Sequence, residues 1–122
     1  MKLLLDTNAL VRWHLGKLRP AAIRIMRRAD VVVVSAISAW EIAIKGAAGK
    51  LDLKDSVEEI VTRNRFLPLP ATIRHGDLLR ALPRHHSDPF DRLLIAQALD
   101  EGLTILTSDR AFEPYRVPVV WV

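Results

Sequence analysis

The sequence contains no cysteine, which excludes disulfide bonds and thiolate metal sites. No apolar run approaches the roughly 18–20 residues that a membrane-spanning helix needs. One lysine and three leucines stand between Met1 and Asp6, too few for the apolar core of a secretory signal peptide. We therefore expect a protein of a reducing compartment such as the cytoplasm, without a membrane segment.

Glycine is also scarce, and the five glycines form neither of the common phosphate-cradling patterns. This excludes the G-x-G-x-x-G dinucleotide site and the P-loop. The segment LLLDTN, residues 3–8, contains the Asp-Thr pair of aspartic proteases, but Asn8 stands where those enzymes need glycine. Because most of the chain is also predicted to be helical, we exclude that protease class.

The length and the charge narrow the possibilities further. A chain of 122 residues suffices for one hydrophobic core, and we predict a single domain over residues 1–122. The net charge of +4 and the isoelectric point of about 10.0 favour an anionic partner, with nucleic acid first. Many small basic proteins bind no nucleic acid, so the charge alone does not decide the function.

Apolar runs alternate along the chain with segments of helical periodicity. Four consecutive valines at residues 31–34 indicate a strand covered on both faces, which is typical of a parallel sheet. The predicted strands are residues 2–5, 31–34, 103–107 and 118–122, and the predicted helices are residues 8–15, 19–28, 38–48, 55–65, 71–82 and 89–101. The alternation predicts an α/β fold with a mostly parallel sheet.

Four acidic residues stand at the ends of predicted strands or the starts of predicted helices. Asp6 follows the first strand and Asp109 follows the third. Because the carboxyl ends of parallel strands meet at one edge of a sheet, where ligands bind, we expect both acids at that edge. Glu41 lies in a helix that begins after the valine strand, so it also belongs there. Asp91 lies in the first turn of a helix with no clear strand before it.

Acids that converge in this way need protonation or a cation. Two carboxylates ~4 Å apart repel each other by roughly 4 kcal/mol at an effective dielectric constant of 20. Hard divalent cations with oxygen ligands, Mg²⁺ or Mn²⁺, are the usual solution. In a basic protein, such a site suits phosphoryl transfer on a polynucleotide held by lysines and arginines.

Each acid also has a purely structural interpretation as a helix cap. The segments SAWE, with Ser38 at the N-cap, and DPFD, with Asp88 at the N-cap, have the spacing of a capping box. Asp6 could cap the helix that follows it, and Asp109 could cap the turn before Phe112. Taken singly, each acid suits a cap better than a ligand, so the functional interpretation depends on all four meeting at one edge.

The segments that carry these acids occur in a characteristic order. They are LLLDTN, SAISAWEIAIKGAAGKL, HSDPFDRLLIAQAL and LTSDRAF. Together they resemble the PIN-domain family, and within it VapC-type toxins of toxin–antitoxin pairs, over residues 2–122. The resemblance implies a three-layer α/β/α sandwich and an Mg²⁺- or Mn²⁺-dependent endoribonuclease that cuts RNA. It also implies a homodimer and a small VapB-like antitoxin that blocks the site.

The same resemblance assigns roles to individual residues. The implied catalytic and metal-binding acids are Asp6, Glu41, Asp91 and Asp109, with Glu41 binding directly or through water. Matching polar positions around them are Thr7, Asp88, Thr107 and Ser108. The implied reaction is hydrolysis of a phosphodiester bond by a metal-activated water. Thr7 and Ser108 are expected to orient ligands or waters.

Several residues near the acids allow two interpretations. Lys45 lies four residues after Glu41, which predicts either an ion pair on the helix surface or a phosphate contact. Arg92 of the DPFDR motif is expected to hold phosphate or to face solvent. His85 and His86 suggest zinc, but neighbours in sequence rarely converge on one ion and no third histidine is near, so a solvated or RNA-facing loop is favoured.

The remaining aromatic and histidine residues favour structural roles. Trp40, Ile44 and Ala47 form one apolar stripe of the helix at 38–48. For Trp13 and Trp40, apolar periodicity favours a place in the core or an interface over stacking on bases. His75 is expected at the surface or in a helix cap.

Two other functions stay open at this point. A PIN-like chain could bind RNA or an antitoxin without cleaving anything, or it could process RNA without being a toxin. Loss of an acid would indicate the non-catalytic module, and all four acids are present. The acids therefore favour the nuclease.

Overall fold

The fold is built on one parallel sheet. The computed structural model describes residues 1–49, 51 and 53–122. The strands are β1 (Lys2–Leu5), β2 (Val31–Ser35), β3 (Leu67–Leu69), β4 (Thr104–Thr107) and β5 (Val119–Trp121), in the spatial order β3-β2-β1-β4-β5. Every pairing among these strands is parallel. The predicted α/β class is confirmed, and the sheet is parallel throughout the described residues.

Helices cover both faces of this sheet. Within the described residues they are α1 (Thr7–His14), α2 (Pro20–Arg28), α3 (Ala36–Ala47), α4 (Val57–Arg63), α5 (Ile73–Ala81) and α6 (Pro89–Glu101), followed by a 3₁₀ turn at Arg110–Phe112. Leu3 and Leu5 pack in one apolar cluster with α1, α2 and α4, whereas Leu4 packs in a second cluster with α6. Two clusters on opposite faces make the three-layer α/β/α sandwich predicted above.

The burial of β1 follows from its sequence. Leu3, Leu4 and Leu5 are all 0% exposed, because successive side chains of a strand point to opposite faces and both faces are covered. Burying one leucine contributes about 1.5–3 kcal/mol. β1 is therefore anchored at the centre of the sheet, and it holds the acid that follows it at the rim of the core.

The chain order places a crevice beside this acid. From β1 the chain builds β2 and β3 on one side of the sheet, and then crosses to β4 and β5 on the other side. In open α/β sheets, ligands bind outside the carboxyl ends of the strands where the order reverses. Here that point lies between β1 and β4, where Asp6 and Thr107 stand.

The third helix begins earlier than the capping-box pattern predicts. α3 starts at Ala36, and the hydroxyl of Ser35 accepts a hydrogen bond from the backbone N–H of Ile37 at 3.0 Å. Ser35 is thus the N-cap, and Ser38 lies inside the first turn. The predicted Ser38–Glu41 capping box is wrong, because the serine that ends β2 already performs the capping.

The outer face of α3 also differs from the expected packing. Trp40 is 52% exposed and Ile44 is 57% exposed, so the apolar stripe they form faces outward rather than into the core. The buried face of the helix carries Ile37, Glu41 and other residues instead. Trp13, by contrast, packs in the core against Phe66, with ring centroids 5.8 Å apart.

One strand was not predicted, and two helices differ in length from the prediction. β3 lies in the apolar run FLPLP, residues 66–70. Pro68 is accommodated there because β3 pairs only with β2 among the described strands, and an edge strand tolerates a missing N–H. α4 and α5 are shorter than predicted, since Ser56 and Thr72 cap them. No helix in the described part of the chain has the length and apolarity needed to cross a membrane.

Candidate active site

Asp6 lies at the carboxyl end of β1 with only 3% of its surface exposed. Its Oδ1 accepts a hydrogen bond from the backbone N–H of Ala9 at 2.7 Å, so it caps α1. Its Oδ2 accepts a hydrogen bond from Oγ1 of Thr107 at 2.5 Å. The pairing of Leu5 with Leu106 brings the two strand ends together. The cap interpretation of Asp6 is confirmed, and the carboxylate is held in one orientation.

Thr107 connects Asp6 to the last predicted acid. Its Oγ1 also accepts a hydrogen bond from the backbone N–H of Asp109 at 2.9 Å. Oδ1 of Asp109 accepts one from the backbone N–H of Ala111 at 2.9 Å and caps the 3₁₀ turn, as predicted. Ser108, between them, is exposed. One buried threonine therefore organises both acids that follow strands.

Thr7 connects the start of α1 to α3. Its Oγ1 donates a hydrogen bond to Oγ of Ser38 at 3.0 Å, and both hydroxyls are buried. This contact fixes the first turn of α1 against the helix that carries Glu41. The polar residue after the first acid thus contacts a neighbouring helix, which agrees with a positioning role.

Glu41 is buried in the second turn of α3, with 3% of its surface exposed. Its Oε2 accepts a charge-assisted hydrogen bond from Nζ of Lys45. Its Oε1 is buried and has no hydrogen-bond partner among the described residues. The ion-pair interpretation of Lys45 therefore matches the geometry, and half of the Glu41 carboxylate remains unpaired.

Asp88 and Asp91 stand at the start of α6. Oδ1 of Asp88 accepts hydrogen bonds from the backbone N–H groups of Phe90 at 2.8 Å and Asp91 at 3.3 Å. The predicted N-cap is confirmed. Oδ2 of Asp91 lies 3.0 Å from Nε2 of His86, whose backbone N–H donates to the hydroxyl of Tyr115 at 3.0 Å. The loop before α6 is thus folded back onto the acid it precedes.

Arg92 points to the end of α5. Its Nη2 donates to the carbonyl oxygens of Leu79 at 3.4 Å and Leu82 at 3.0 Å. The last carbonyls of a helix lack partners within the helix, so this guanidinium ties α6 to α5. The predicted phosphate contact of Arg92 gains no support from this geometry.

The sequence model of one family, described as PIN domain, matches residues 3–117. The chain belongs to the PIN-domain family. It is 28% identical to ribonuclease VapC22 of Mycobacterium tuberculosis (strain ATCC 25618 / H37Rv), over 97% of each chain. The resemblance stated from the sequence motifs is confirmed.

Solved structures agree with the PIN fold. One is VapBC2 from Rickettsia felis bound to a DNA fragment from their promoter, with a TM-score of 0.71, 16% identity, and coverage of 100% of this chain and 99% of that chain. Another is DNA-bound VapBC from Salmonella typhimurium, with a TM-score of 0.67, 23% identity, and coverage of 98% and 97%. At sequence identities of 16% and 23%, the structural likeness establishes the fold alone.

The acids of this PIN domain influence one another electrostatically. Burial raises the pKa of Asp6 to about 6; hydrogen bonds from Thr107 and Ala9 oppose the rise, and the charges of Asp109 and Glu41 add to it. Burial likewise raises the pKa of Asp91 to about 6, with the charges of Asp88, Glu41 and Asp6 adding to it and the His86 hydrogen bond opposing it. Acids from four separate segments therefore share one region of negative potential.

The donor set of this PIN domain fits a hard divalent cation. Carboxylate oxygens are the ligands that Mg²⁺ and Mn²⁺ prefer. The buried Oε1 of Glu41 has no partner among the described residues, and leaving such an oxygen unpaired costs free energy that a cation would offset. Burial is the main cause of the raised pKa values of Asp6 and Asp91, and the charges of neighbouring carboxylates add to it, so a cation would favour the ionised form of both acids.

The positions of two further polar residues were not predicted. The capping-box pattern predicts Ser38 as an N-cap, yet its hydroxyl lies in the buried contact with Thr7. Its place three residues before Glu41, on the same helix face, is the sequence signal that indicates a position near the acids. His86 approaches Asp91 through the path of a loop, which has no periodicity to predict it. His75 takes part in the capping box that Thr72 begins at the start of α5, which confirms the cap rather than the surface alternative, and it is 1% exposed.

Proposed function

We propose that this PIN domain is an endoribonuclease that hydrolyses phosphodiester bonds of RNA and requires Mg²⁺ or Mn²⁺. The observation that carries the proposal is the grouping of acids near the carboxyl ends of β1 and β4. Asp6 and Glu41 are 3% exposed, Asp91 and Asp109 are half-buried, and burial raises the pKa of Asp6 to about 6. The relative named ribonuclease VapC22 and the net charge of +4 support RNA as the substrate. We also propose that residues 1–122 form a single domain, since all described strands belong to one sheet.

Four acids are the proposed ligands of the cation. Asp6, Asp91 and Asp109 are the proposed direct ligands, and Glu41 binds directly or through water. When bound, a divalent ion acts as a Lewis acid that generates a nucleophilic water and stabilises negative charge on the phosphate. The chain itself contributes a rigid frame, because helix caps and the Thr107 hydroxyl hold the carboxylates of Asp6 and Asp109 before any ligand arrives.

The surrounding residues tune this site. Lys45 neutralises one oxygen of Glu41. The hydrogen bond that Lys45 donates to Glu41, together with the charges of Glu41, Asp88 and Asp91, raises the pKa of Lys45. The lysine therefore stays charged beside the site, where it is available to an RNA phosphate. Thr7 keeps α1 and α3 in register through Ser38, and Ser108 is exposed beside Asp109 for contact with substrate or water.

We propose further that the chain is the toxin of a toxin–antitoxin pair, with a VapB-like antitoxin and a homodimeric form. Structural neighbours were solved as VapBC complexes, and the exposed stripe of Trp40 and Ile44 is the kind of apolar surface that protein partners cover. Light scattering of the purified chain tests the dimer. Co-expression with a VapB-like antitoxin tests whether RNA cleavage is inhibited.

The decisive experiment is cleavage of single-stranded RNA by the purified chain with Mg²⁺ or Mn²⁺. EDTA and Asp91→Asn are expected to abolish cleavage, whereas Asp77→Asn, a change at an exposed acid of α5, leaves it intact. RNA binding by the Asp91→Asn variant should survive. Binding without cleavage in the unaltered chain would instead indicate the non-catalytic module, and cleavage that persists in EDTA would contradict the metal requirement.

A further inference from the structure

His86 stands among the acids rather than in open solvent. Its Nε2 lies 3.0 Å from Oδ2 of Asp91. His86, Asp88 and Asp91 each offer one ligand atom, and these three atoms lie within 4.8 Å of one another. Asp88 uses Oδ1 for the helix cap, which leaves its Oδ2 available. The start of α6 thus presents one nitrogen and two carboxylates to a common point.

This arrangement is held from several sides. The backbone N–H of His86 donates to the hydroxyl of Tyr115, which is only 6% exposed, and Asp88 is fixed by the N-terminus of α6. The neighbouring His85 turns away, with its ring packed edge-on against Tyr115 at a centroid distance of 5.1 Å. The two adjacent histidines therefore differ: one faces the acids and the other faces a buried tyrosine.

A second feature indicates that a cation belongs here. Glu41 is 3% exposed, and its Oε1 has no hydrogen-bond partner among the described residues. The charge of Glu41 acts on Asp91 and Asp6, so its carboxylate lies near both acids. The nearest basic group, Lys45, is engaged with the other oxygen of Glu41. A buried carboxylate oxygen is therefore left for a ligand beside the His86 group.

We propose that His86 is a nitrogen ligand of the cation site, acting together with Asp91 and Asp88, and that it makes the site prefer first-row transition ions such as Mn²⁺ to Mg²⁺. This rests on the proposed function only in taking Asp91 as a cation ligand. Imidazole nitrogen binds first-row transition ions well, whereas Mg²⁺ strongly prefers oxygen. Two carboxylates and a neutral imidazole also balance the charge of a divalent ion.

Mn²⁺ bound to the intact protein provides a test that does not depend on activity. Pulsed electron paramagnetic resonance detects the coupling between Mn²⁺ and a directly bound imidazole nitrogen. The coupling is expected in the unaltered chain and in His85→Gln, and it should be absent in His86→Gln. Titration should show Mn²⁺ affinity falling at least about tenfold in His86→Gln, since loss of an outer partner of a ligand alone costs about 10–100-fold, with Mg²⁺ affinity nearly unchanged.

Three outcomes would overturn the assignment of His86. The first is no nitrogen coupling in the unaltered chain, a result that requires no variant to fold. The second is coupling that persists in His86→Gln. The third is an equal loss of Mn²⁺ and Mg²⁺ affinity in that variant, which would make His86 a positioning residue that acts through Asp91. The failure of the proposed function is a different result, namely Mn²⁺ binding that Asp91→Asn does not weaken.

Discussion

Replacing Asp6 with asparagine is expected to stabilise the metal-free protein at neutral pH. The aspartate is 3% exposed, and burial with the nearby acids raises its pKa. Its ionised form therefore destabilises the folded state. Asparagine is nearly the same size, has no charge, and can still cap α1 through its side-chain oxygen.

The size of the expected stabilisation follows from the pKa shift of Asp6. A pKa that rises from 3.8 to about 6 corresponds to about 3 kcal/mol of destabilisation, since each pKa unit is worth about 1.4 kcal/mol. The hydrogen bond from Thr107 favours the ionised form and already reduces this shift, so its loss in the amide takes away no further stabilisation. The expected gain is about 3 kcal/mol, or roughly 10–15 °C in Tm for a chain of this size.

The pH dependence of the unfolding free energy tests whether ionised Asp6 destabilises the fold. Below the unfolded pKa of 3.8, Asp6 is protonated in both the folded and the unfolded state, so the parent suffers no electrostatic cost. As the pH rises from there to about 6, the unfolded state releases its proton while the folded state retains it. The parent therefore loses stability across this window, and the advantage of the Asp6→Asn variant grows and then stays constant.

Urea unfolding in EDTA, at several pH values from about 4 to about 8, measures this difference. Asp77→Asn, at an exposed acid, controls for a general change in charge. Adding Mn²⁺ should stabilise the parent but not Asp6→Asn, because ligand binding to the folded state raises its stability. A variant that is no more stable than the parent at about pH 8 in EDTA would refute the argument that burial and neighbouring charge destabilise ionised Asp6.

Three further pairs of substitutions test the site and the helices of the fold. Thr107→Val should lower the free energy of unfolding in urea by about 1–3 kcal/mol, because two hydrogen bonds lose their partner, whereas Thr104→Val, in the same strand and half-buried, should change it little. Gly76→Ala, where an added Cβ meets open space, should stabilise α5 by about 1 kcal/mol, while Gly102→Ala, at a φ of +67°, should destabilise. Asp109→Asn should keep the cap and unfold like the parent, but calorimetry should show weaker Mn²⁺ binding. Asp109→Ala should lose both the capping hydrogen bond, and with it stability, and the Mn²⁺ affinity.

The parts of the fold that depend on local pattern were predictable from the sequence. The valine run, the leucines of β1 and the bounds of α6 agree with the structure, because apolar composition, proline at the first helical turn and a closing glycine act within a few residues. Placing Asp6 and Asp109 at one edge required only the parallel direction of the strands. The order of strands then made that edge a crevice.

The parts that depend on competition between neighbouring segments were not predictable. Ser35 and Ser38 are both acceptable N-caps, and only the length of β2 decides between them. The outward direction of Trp40, which is 52% exposed, was not predictable either, because helical periodicity identifies an apolar stripe without indicating whether the core or a partner covers it. The approach of His86 to Asp91 depends on the path of a loop anchored by Tyr115, twenty-nine residues away in the sequence.

The sequence presented the cap and ligand interpretations of the acids as alternatives, and the geometry makes them compatible. A carboxylate has two oxygens. Oδ1 of Asp88 and Oδ1 of Asp109 accept backbone hydrogen bonds, which leaves the second oxygen of each carboxylate for another partner. Capping fixes the direction of that second oxygen before a cation binds, so little side-chain entropy remains to be lost on binding. The caps are therefore part of what makes the acid cluster suitable for a metal, and their presence does not argue against one.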